Sequence, residues 1–356
     1  MKSSDKEKYL GDYINTAGST KDTLAARISR GNAIYAEMKS LLNEIPLGTK
    51  RTEIGLALRE AWFLNGCLFN SEVWCNSSPQ DMQKLETIDN KILRHILGAH
   101  EKAPVEFLHL ETGTLNILSV ISVRRMCYLQ NILKRHDSEL VKRVYNELKD
   151  SSVKGDWYSL VKQDFEFINE IIDEERIKEN SENQHKREIK EKVRKQTFKL
   201  FNEQKEKHSK VKDIVYSDLI KAQSYLCSAK LSNKQTAMLV NLRSRCVRGF
   251  KKNFSTAFTG NLMCPLCQQA EDTQEHALSC HIIEEHRNQS DKLVSSNVRY
   301  NNIYGTVEEQ LNIANVFLSA VHTRERLLEQ QEPADQGIML DPPTGDIYTM
   351  YTSNGK

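Results

Sequence analysis

The chain holds 356 residues, enough for two or three modules of roughly 100–200 residues each and for a sizeable buried core. Its 50 Lys and Arg against 48 Asp and Glu leave a net charge of +2, so affinity for a polyanion must come from local clustering of charge. Only 15 Gly and 7 Pro, against 28% charged residues, disfavour the turn-rich grammar of sandwiches and barrels and the Gly-rich loops of dinucleotide folds, and predict a mainly α protein.

Leu24, Ile28, Ile34, Met38, Leu41 and Ile45 recur at helical spacing and predict a first helix closed by Pro46 and Gly48. The stretch 54–74 is apolar almost all round, with Trp62, Phe63, Leu64, Leu68, Phe69 and Trp74, and reads as the central buried helix of a bundle. Ser78 then caps a third helix, with Pro79 at its first position, Asp81 placed for a capping box, and a stripe through Met82, Leu85, Ile88, Ile92, Ile96 and Leu97. A short helix at 104–110 stops at Gly113, a longer one at 117–133 carries Arg124 and Arg125, and amphipathic stretches come next at 140–148 and 157–172. Residues 176–212 hold 13 Lys or Arg against 6 Glu and few apolar residues. With Glu188 and Lys192, and Glu191 and Lys195, four apart, this segment reads as a solvated basic linker helix. Helical patterns return at 214–226 and 234–247, and Thr306 with Glu309 forms a capping box that opens a last helix through Leu311, Phe317, Val321 and Leu328. The stretch from Gln331 onward, with Pro333, Pro342 and Pro343 and no periodicity, is expected to be a disordered tail. No apolar run approaches the roughly 18–20 residues that span a bilayer, and the start lacks the apolar core of a signal peptide, so a soluble intracellular protein without a membrane partner is expected.

Eight cysteines in such a chain are reduced thiols rather than a disulfide framework, and each has to be explained as core or as ligand. Cys264 and Cys267, eight residues on to His276 and three more to Cys280, give C-x2-C-x8-H-x3-C. A two-residue spacer lets one tight turn aim two thiolates at one ion, and the i, i+4 spacing of His276 and Cys280 puts both on one face of a helical turn. Four protein ligands close the coordination sphere, which predicts a structural Zn²⁺ that contributes folding energy to a segment with little core of its own. Pro265 and the polar stretch 268–275 argue against the alternative of ordinary core cysteines. His281 and His286 are possible substitute ligands that do not improve the spacing, whereas Cys67, Cys75, Cys127, Cys227, Cys246, His95 and His109 sit in apolar patterns and read as core.

Just before this set, Arg243, Arg245, Arg248, Lys251 and Lys252 bring five positive charges with no acidic residue among them, interleaved with Phe250, Phe254 and Phe258. Arginine forks suit phosphates and aromatic rings stack on unpaired bases, so this surface suits RNA or DNA. The alternative is a solvated helix face whose phenylalanines pack on the metal module.

These residues resemble a family. Lys8-Tyr9-Leu10-Gly11 is similar to the K-Y-L-G segment near the primer grip of non-LTR (LINE-like) retrotransposon reverse transcriptases. The helices to Leu97 resemble their thumb. Ile92-Leu93-Arg94-His95-Ile96-Leu97, Leu108-His109-Leu110-Glu111-Thr112-Gly113, Arg124-Arg125 and Tyr128-Leu129 resemble the post-thumb segment of these enzymes. Cys264, Cys267, His276 and Cys280, with Asp272-Thr273-Gln274-Glu275, resemble the C-terminal CCHC zinc knuckle. The resemblance covers about residues 8 to 285 and implies the part of such a polyprotein that lies beyond the polymerase palm. The carboxylates that hold catalytic metal ions come in that family from an x-D-D turn upstream of K-Y-L-G; this sequence has no Asp-Asp pair and no Pro followed by Asp of the kind an associated endonuclease would show. The expected organisation is a primer-grip remnant and thumb-like bundle at 1–100, a helical post-thumb region at 101–175, the basic linker helix at 176–212, helices with the zinc knuckle at 213–290, a C-terminal helix region at 291–330 and the tail at 331–356. The expected role is non-catalytic binding of a template-primer duplex, element RNA or target DNA. The rival readings are a zinc-stabilised helical module for a protein partner, and a decayed relic without a role.

Overall fold

The computed structural model describes residues 6–9, 12–15, 20–75, 77–151, 153–216, 221–257, 260–287 and 299–331, and these are mainly helical. The amino-terminal end departs from the helical pattern. Lys6–Tyr9 (β1) and Asp12–Asn15 (β2) pair antiparallel, with Tyr9 opposite Asp12, so Lys8 and Tyr9 of the K-Y-L-G segment lie in a strand, and Leu10 and Gly11 lie outside the described residues. Two strands of four largely polar residues carry too little apolar alternation to be read from sequence.

The first core forms where α1 (Lys21–Asn43) lays Leu24, Ile34, Met38 and Leu42 against the next segment and against the third helix. That next segment is not one buried helix. α2 (Thr49–Leu58) runs into a π-helical turn at Arg59–Leu64 and a short helical piece at Asn65–Cys67, and Ile54, Trp62, Phe69 and Val73 are left exposed. An all-round apolar surface is buried only where neighbours stand on every side, and in the π turn a charge is turned inward instead. Arg59 there grips Asp89 through two hydrogen bonds of 2.6 and 2.7 Å, both side chains buried, and donates a third to the Leu115 carbonyl. α3 (Pro79–Leu97) starts at Pro79 as expected, but Ser78 Oγ contacts Gln80 and Asp81 pairs with Lys84, so no capping box forms there.

α4 (Val105–Thr112) ends at Gly113, whose φ of +66° and tight approach to the Lys221–Ala222 backbone leave no room for a Cβ. α5 (Ile117–Leu133), α6 (Leu140–Ser151) and α7 (Trp157–Phe167) build a second core from Leu129, Tyr145, Trp157, Val161 and Phe165. α8 (Glu174–Glu179) and α9 (Glu182–Lys205) occupy the segment read as a solvated linker, and α9 is no free linker. It buries His185, Ile189, Val193, Thr197, Phe201 and Lys205, one residue per turn, against α5 and α4. Half of that stripe is polar and finds partners: Ser119 Oγ to Thr197 Oγ1 at 2.9 Å, Lys205 Nζ to the Lys212 carbonyl at 2.9 Å, and His185 Nε2 at 3.3 Å from the Met126 carbonyl. Of the two expected ion pairs only Glu191 with Lys195 forms; Lys192 reaches Glu170 instead.

The third core crosses the expected boundaries. α10 (Asn233–Arg243), α11 (His276–Ser279), α12 (His281–His286) and α13 (Val307–Gln331) share it with Leu93, Leu97, Phe107 and Leu108, and Cys264, Ala277, Cys280 and Ile283 are inside it. The metal segment therefore leans on a large common core and is not a module with little core of its own. α13 opens on the expected box, with Thr306 N–H donating to Glu309 at 2.7 Å and Glu309 N–H to Thr306 Oγ1 at 3.3 Å. Gln331, where the tail is expected to begin, is the last residue of α13; the rest of it, 332 onward, lies outside the described residues. Among the described residues no helix is long and apolar enough to cross a membrane.

Candidate metal centre and the cationic groove beside it

Cys264 and Cys267 lie on a tight turn closed by the Gln268 N–H to the Cys264 carbonyl at 3.0 Å, with Gln268 in the left-handed region at φ 57°. His276 opens α11 and Cys280 stands just past its end, so one helical turn delivers the second pair. The thiol sulfurs of Cys264, Cys267 and Cys280 and one ring nitrogen of His276 all lie within 4.8 Å of one another, and Cys267 Sγ stands 3.2 Å from His276 Nε2. Ligands about 2.0–2.3 Å from a common centre sit at such separations, so the cluster could hold a metal ion. Burial works against the Cys267 thiolate, but hydrogen bonds led by the Gln269 backbone, with Cys264 and Cys280, outweigh it and hold its pKa below the ordinary value. Cys280 is pushed up to about 11 by burial and then by the neighbouring thiol charges. A bound cation would relieve the thiol repulsion that contributes to the raised Cys280 value. Cys67 and Cys246 are buried, Cys75 and Cys127 half-buried and Cys227 exposed; these five, His281 and His286 stand outside the cluster. His109 is buried against the Phe201 ring, as core.

The loop 271–275, between the two ligand pairs, grips the chain that precedes it. Asp272, 1% exposed, accepts from the Lys251 N–H at 3.0 Å and from Arg324 of α13 at 2.9 and 3.0 Å, and its carbonyl accepts from the Lys252 N–H. Asn253 donates to Gln274 at 3.0 Å, Lys252 Nζ pairs with Glu271 at 2.9 Å, and Arg245 meets Glu275 at 3.4 Å. The loop between the two ligand pairs thus sets the positions of Arg245, Lys251, Lys252 and the chain leading to Phe254.

Arg243 does not belong to that surface. It is 3% exposed, its Nε and Nη2 donate to Glu111 Oε1 at 3.0 and 2.8 Å, Nη1 donates to the Ile303 carbonyl at 2.9 Å, and the guanidinium lies between the Tyr225 and Tyr304 rings. Burial opposes its charge, yet Glu111 overrides this and raises its pKa. A run of positive residues does not reveal which one faces inward; α10 is buried on almost every side, and the acid that claims Arg243 lies 132 residues away. Phe250 is likewise buried, under Arg324 and against Phe317, while Phe258 lies outside the described residues.

Arg245 is held in the left-handed region at φ 50°, where α10 ends in a Schellman motif: its N–H donates to the Leu242 carbonyl at 3.1 Å and the Cys246 N–H to the Asn241 carbonyl at 2.9 Å. Glycine is the ordinary occupant of that position. Arg245, Lys252 and Phe254 form one wall of a groove of about 760 Å³ whose other walls carry Lys102, Lys207 and Lys210. Phe254 sits under the Lys102 and Lys210 ammonium groups, at 5.4 and 4.8 Å from its centroid, and against the His100 ring at 4.8 Å. His100 is driven down to about 4 by burial and then by the charge of Arg248, which is not among the residues that line the groove. Lys251 sits behind the rim, its Nζ bonded to the Asn261 carbonyl. Sequence reasoning missed Lys102, Lys207 and Lys210. The last two stand in the basic segment at 176–212, but nothing around Lys102 marks it. Compared with family models, curated proteins and solved structures, the chain matches none.

Proposed function

We propose that the chain binds nucleic acid without chemistry of its own, through the cationic surface that the metal loop holds in place, and that the metal is a structural Zn²⁺. The donor set of three cysteines and one histidine is the soft, nitrogen-and-sulfur set that zinc prefers, with no position left open for water. The observation that carries the reading is the convergence of Arg245, Lys252 and Phe254 with Lys102, Lys207 and Lys210 on one groove beside the Cys264, Cys267, His276 and Cys280 cluster. Guanidinium forks with an aromatic ring are what phosphates and bases ask for. In this reading, which its resemblance to non-LTR retrotransposon reverse transcriptases supports, the chain acts as a post-palm segment of such a polyprotein, positioning template, primer or target for active sites carried elsewhere. The test compares binding of a labelled RNA at one fixed moderate salt by the zinc-loaded chain and by an Arg245→Ala, Arg248→Ala variant. Two lost charge-assisted contacts of about 1.5 kcal/mol or more each predict a loss of at least ~10-fold. Unchanged affinity would move the protein-partner reading ahead.

A further inference from the structure

We infer that the groove is a subsite for an unpaired nucleotide, with a base on the Phe254 ring and its flanking phosphates on Lys102, Lys207 and Lys210. This rests on the nucleic-acid reading above and narrows it from nucleic acid in general to single strands. Three distant segments build the site: the loop before α4 gives Lys102, the turn after α9 gives Lys207 and Lys210, and the 3-10 segment Lys251–Ala257 gives Phe254. At about 760 Å³ the groove lies within the range of pockets for compact ligands, which suits one or two nucleotides and not a double helix. A duplex keeps its bases stacked inside and shows the protein phosphates, so Phe254 would have nothing to do there; an unpaired base has a free face.

The cations are poised for exchange. Among the described residues Lys102 and Lys207 have no carboxylate partner, and Lys210 has only the Cys246 sulfur at 3.5 Å besides the ring. The acids nearby are engaged: Glu275 faces Arg245, Glu271 pairs with Lys252, and Glu106 lies 3.2 Å from His208. Lys102 and Lys210 ride over Phe254 held by the ring quadrupole, a weaker partner for an ammonium than a phosphodiester oxygen. An arriving phosphate draws them off the ring, and their departure uncovers a face on which a base stacks. No other residue is needed.

The zinc-loaded full chain is titrated by fluorescence anisotropy with a short single-stranded RNA, the DNA of the same sequence, the matching duplexes and inorganic polyphosphate. Both single strands are expected to bind at least ~10-fold tighter than their duplexes, and Phe254→Leu to cost ~5- to 100-fold on single strands at unchanged salt slope. The same variant is expected to leave duplex and polyphosphate binding alone. Lys102→Gln, Lys207→Gln and Lys210→Gln combined should lower the single-strand salt slope by about 2, at about 0.7 for each of three phosphates. In the unaltered protein, irradiation with 5-iodouracil-substituted RNA should place a crosslink on Phe254, a readout independent of how any variant folds. Equal binding of duplex and single strand, with Phe254→Leu silent and no crosslink at Phe254, overturns the subsite and leaves the broader reading standing. Absence of salt-dependent binding to any nucleic acid overturns both.

Discussion

Replacing Arg243 by methionine removes a charge from the most enclosed ion pair of the fold. Glu111, fully buried, is left with the Tyr216 and Tyr225 hydroxyls at 2.7 Å as its only side-chain donors among the described residues, and the Ile303 carbonyl loses its contact with Nη1. Three charge-assisted hydrogen bonds disappear at once, and removal of one member of a buried pair costs about 3–5 kcal/mol because the remaining charge is stranded. That is a large share of the roughly 5–15 kcal/mol that holds a domain together. Glu111→Gln in the Arg243→Met background removes the stranded charge as well and should restore about 2 kcal/mol or more, so the two substitutions are strongly non-additive. Urea unfolding monitored by circular dichroism reads this directly, with the wild type, Arg243→Met, Glu111→Gln and the double variant measured at one salt concentration. If Arg243 instead faced nucleic acid, the single variant would unfold with the wild type to within about 0.5 kcal/mol and would lower the salt slope for RNA by about 0.7. That pair of results would refute the inward placement.

Metal analysis of the purified chain is expected to give one zinc, lost in Cys264→Ser and in Cys280→Ser, with packing loosened as far as α10 and α13 because both sulfurs lie in the core shared with Leu239 and Phe317; full zinc in both variants would reject the ligand set. Arg245→Gly should gain stability on the order of 1 kcal/mol, since glycine relieves the left-handed backbone, while weakening RNA binding; a loss of stability with binding intact would show that the arginine serves the fold. His109 is lowered to about 4 by burial, against an ordinary value of 6.5, so it stays neutral in the folded chain where the unfolded chain takes up a proton. Its contribution is fully present above pH 6.5 and is lost as pH falls toward 4, about 3 kcal/mol in all. Unfolding free energies at pH 7 and pH 4.5 for wild type and His109→Gln should converge at the lower pH if this holds; parallel pH dependence would contradict it.

The features legible in the sequence are local. The Cys/His cluster spans 264 to 280, so spacing alone carries it, and the Thr306–Glu309 cap needs three residues. The longer-range features need the fold. α9 hides its buried stripe because His185, Thr197 and Lys205 are polar and are satisfied by partners on α5, on the 206–212 turn and in the chain's own carbonyls. The groove is assembled from Lys102, Lys207, Lys210 and Phe254, which share no periodicity, and Arg243 misleads because its acid, Glu111, is brought to it only by tertiary packing. The π turn at Arg59–Leu64 shows the converse: an apolar run marks a helix but does not say which of its faces are covered.

The most direct test of the nucleic-acid assignment is the salt dependence of RNA binding by the zinc-loaded wild-type chain. If Lys102, Lys207, Lys210, Arg245, Arg248 and Lys252 form a phosphate-binding surface, the logarithm of the association constant falls linearly with the logarithm of salt, with a slope of about −2 to −4 for three to six contacted phosphates on a single strand. A slope near zero, or no binding at low salt, would contradict the assignment.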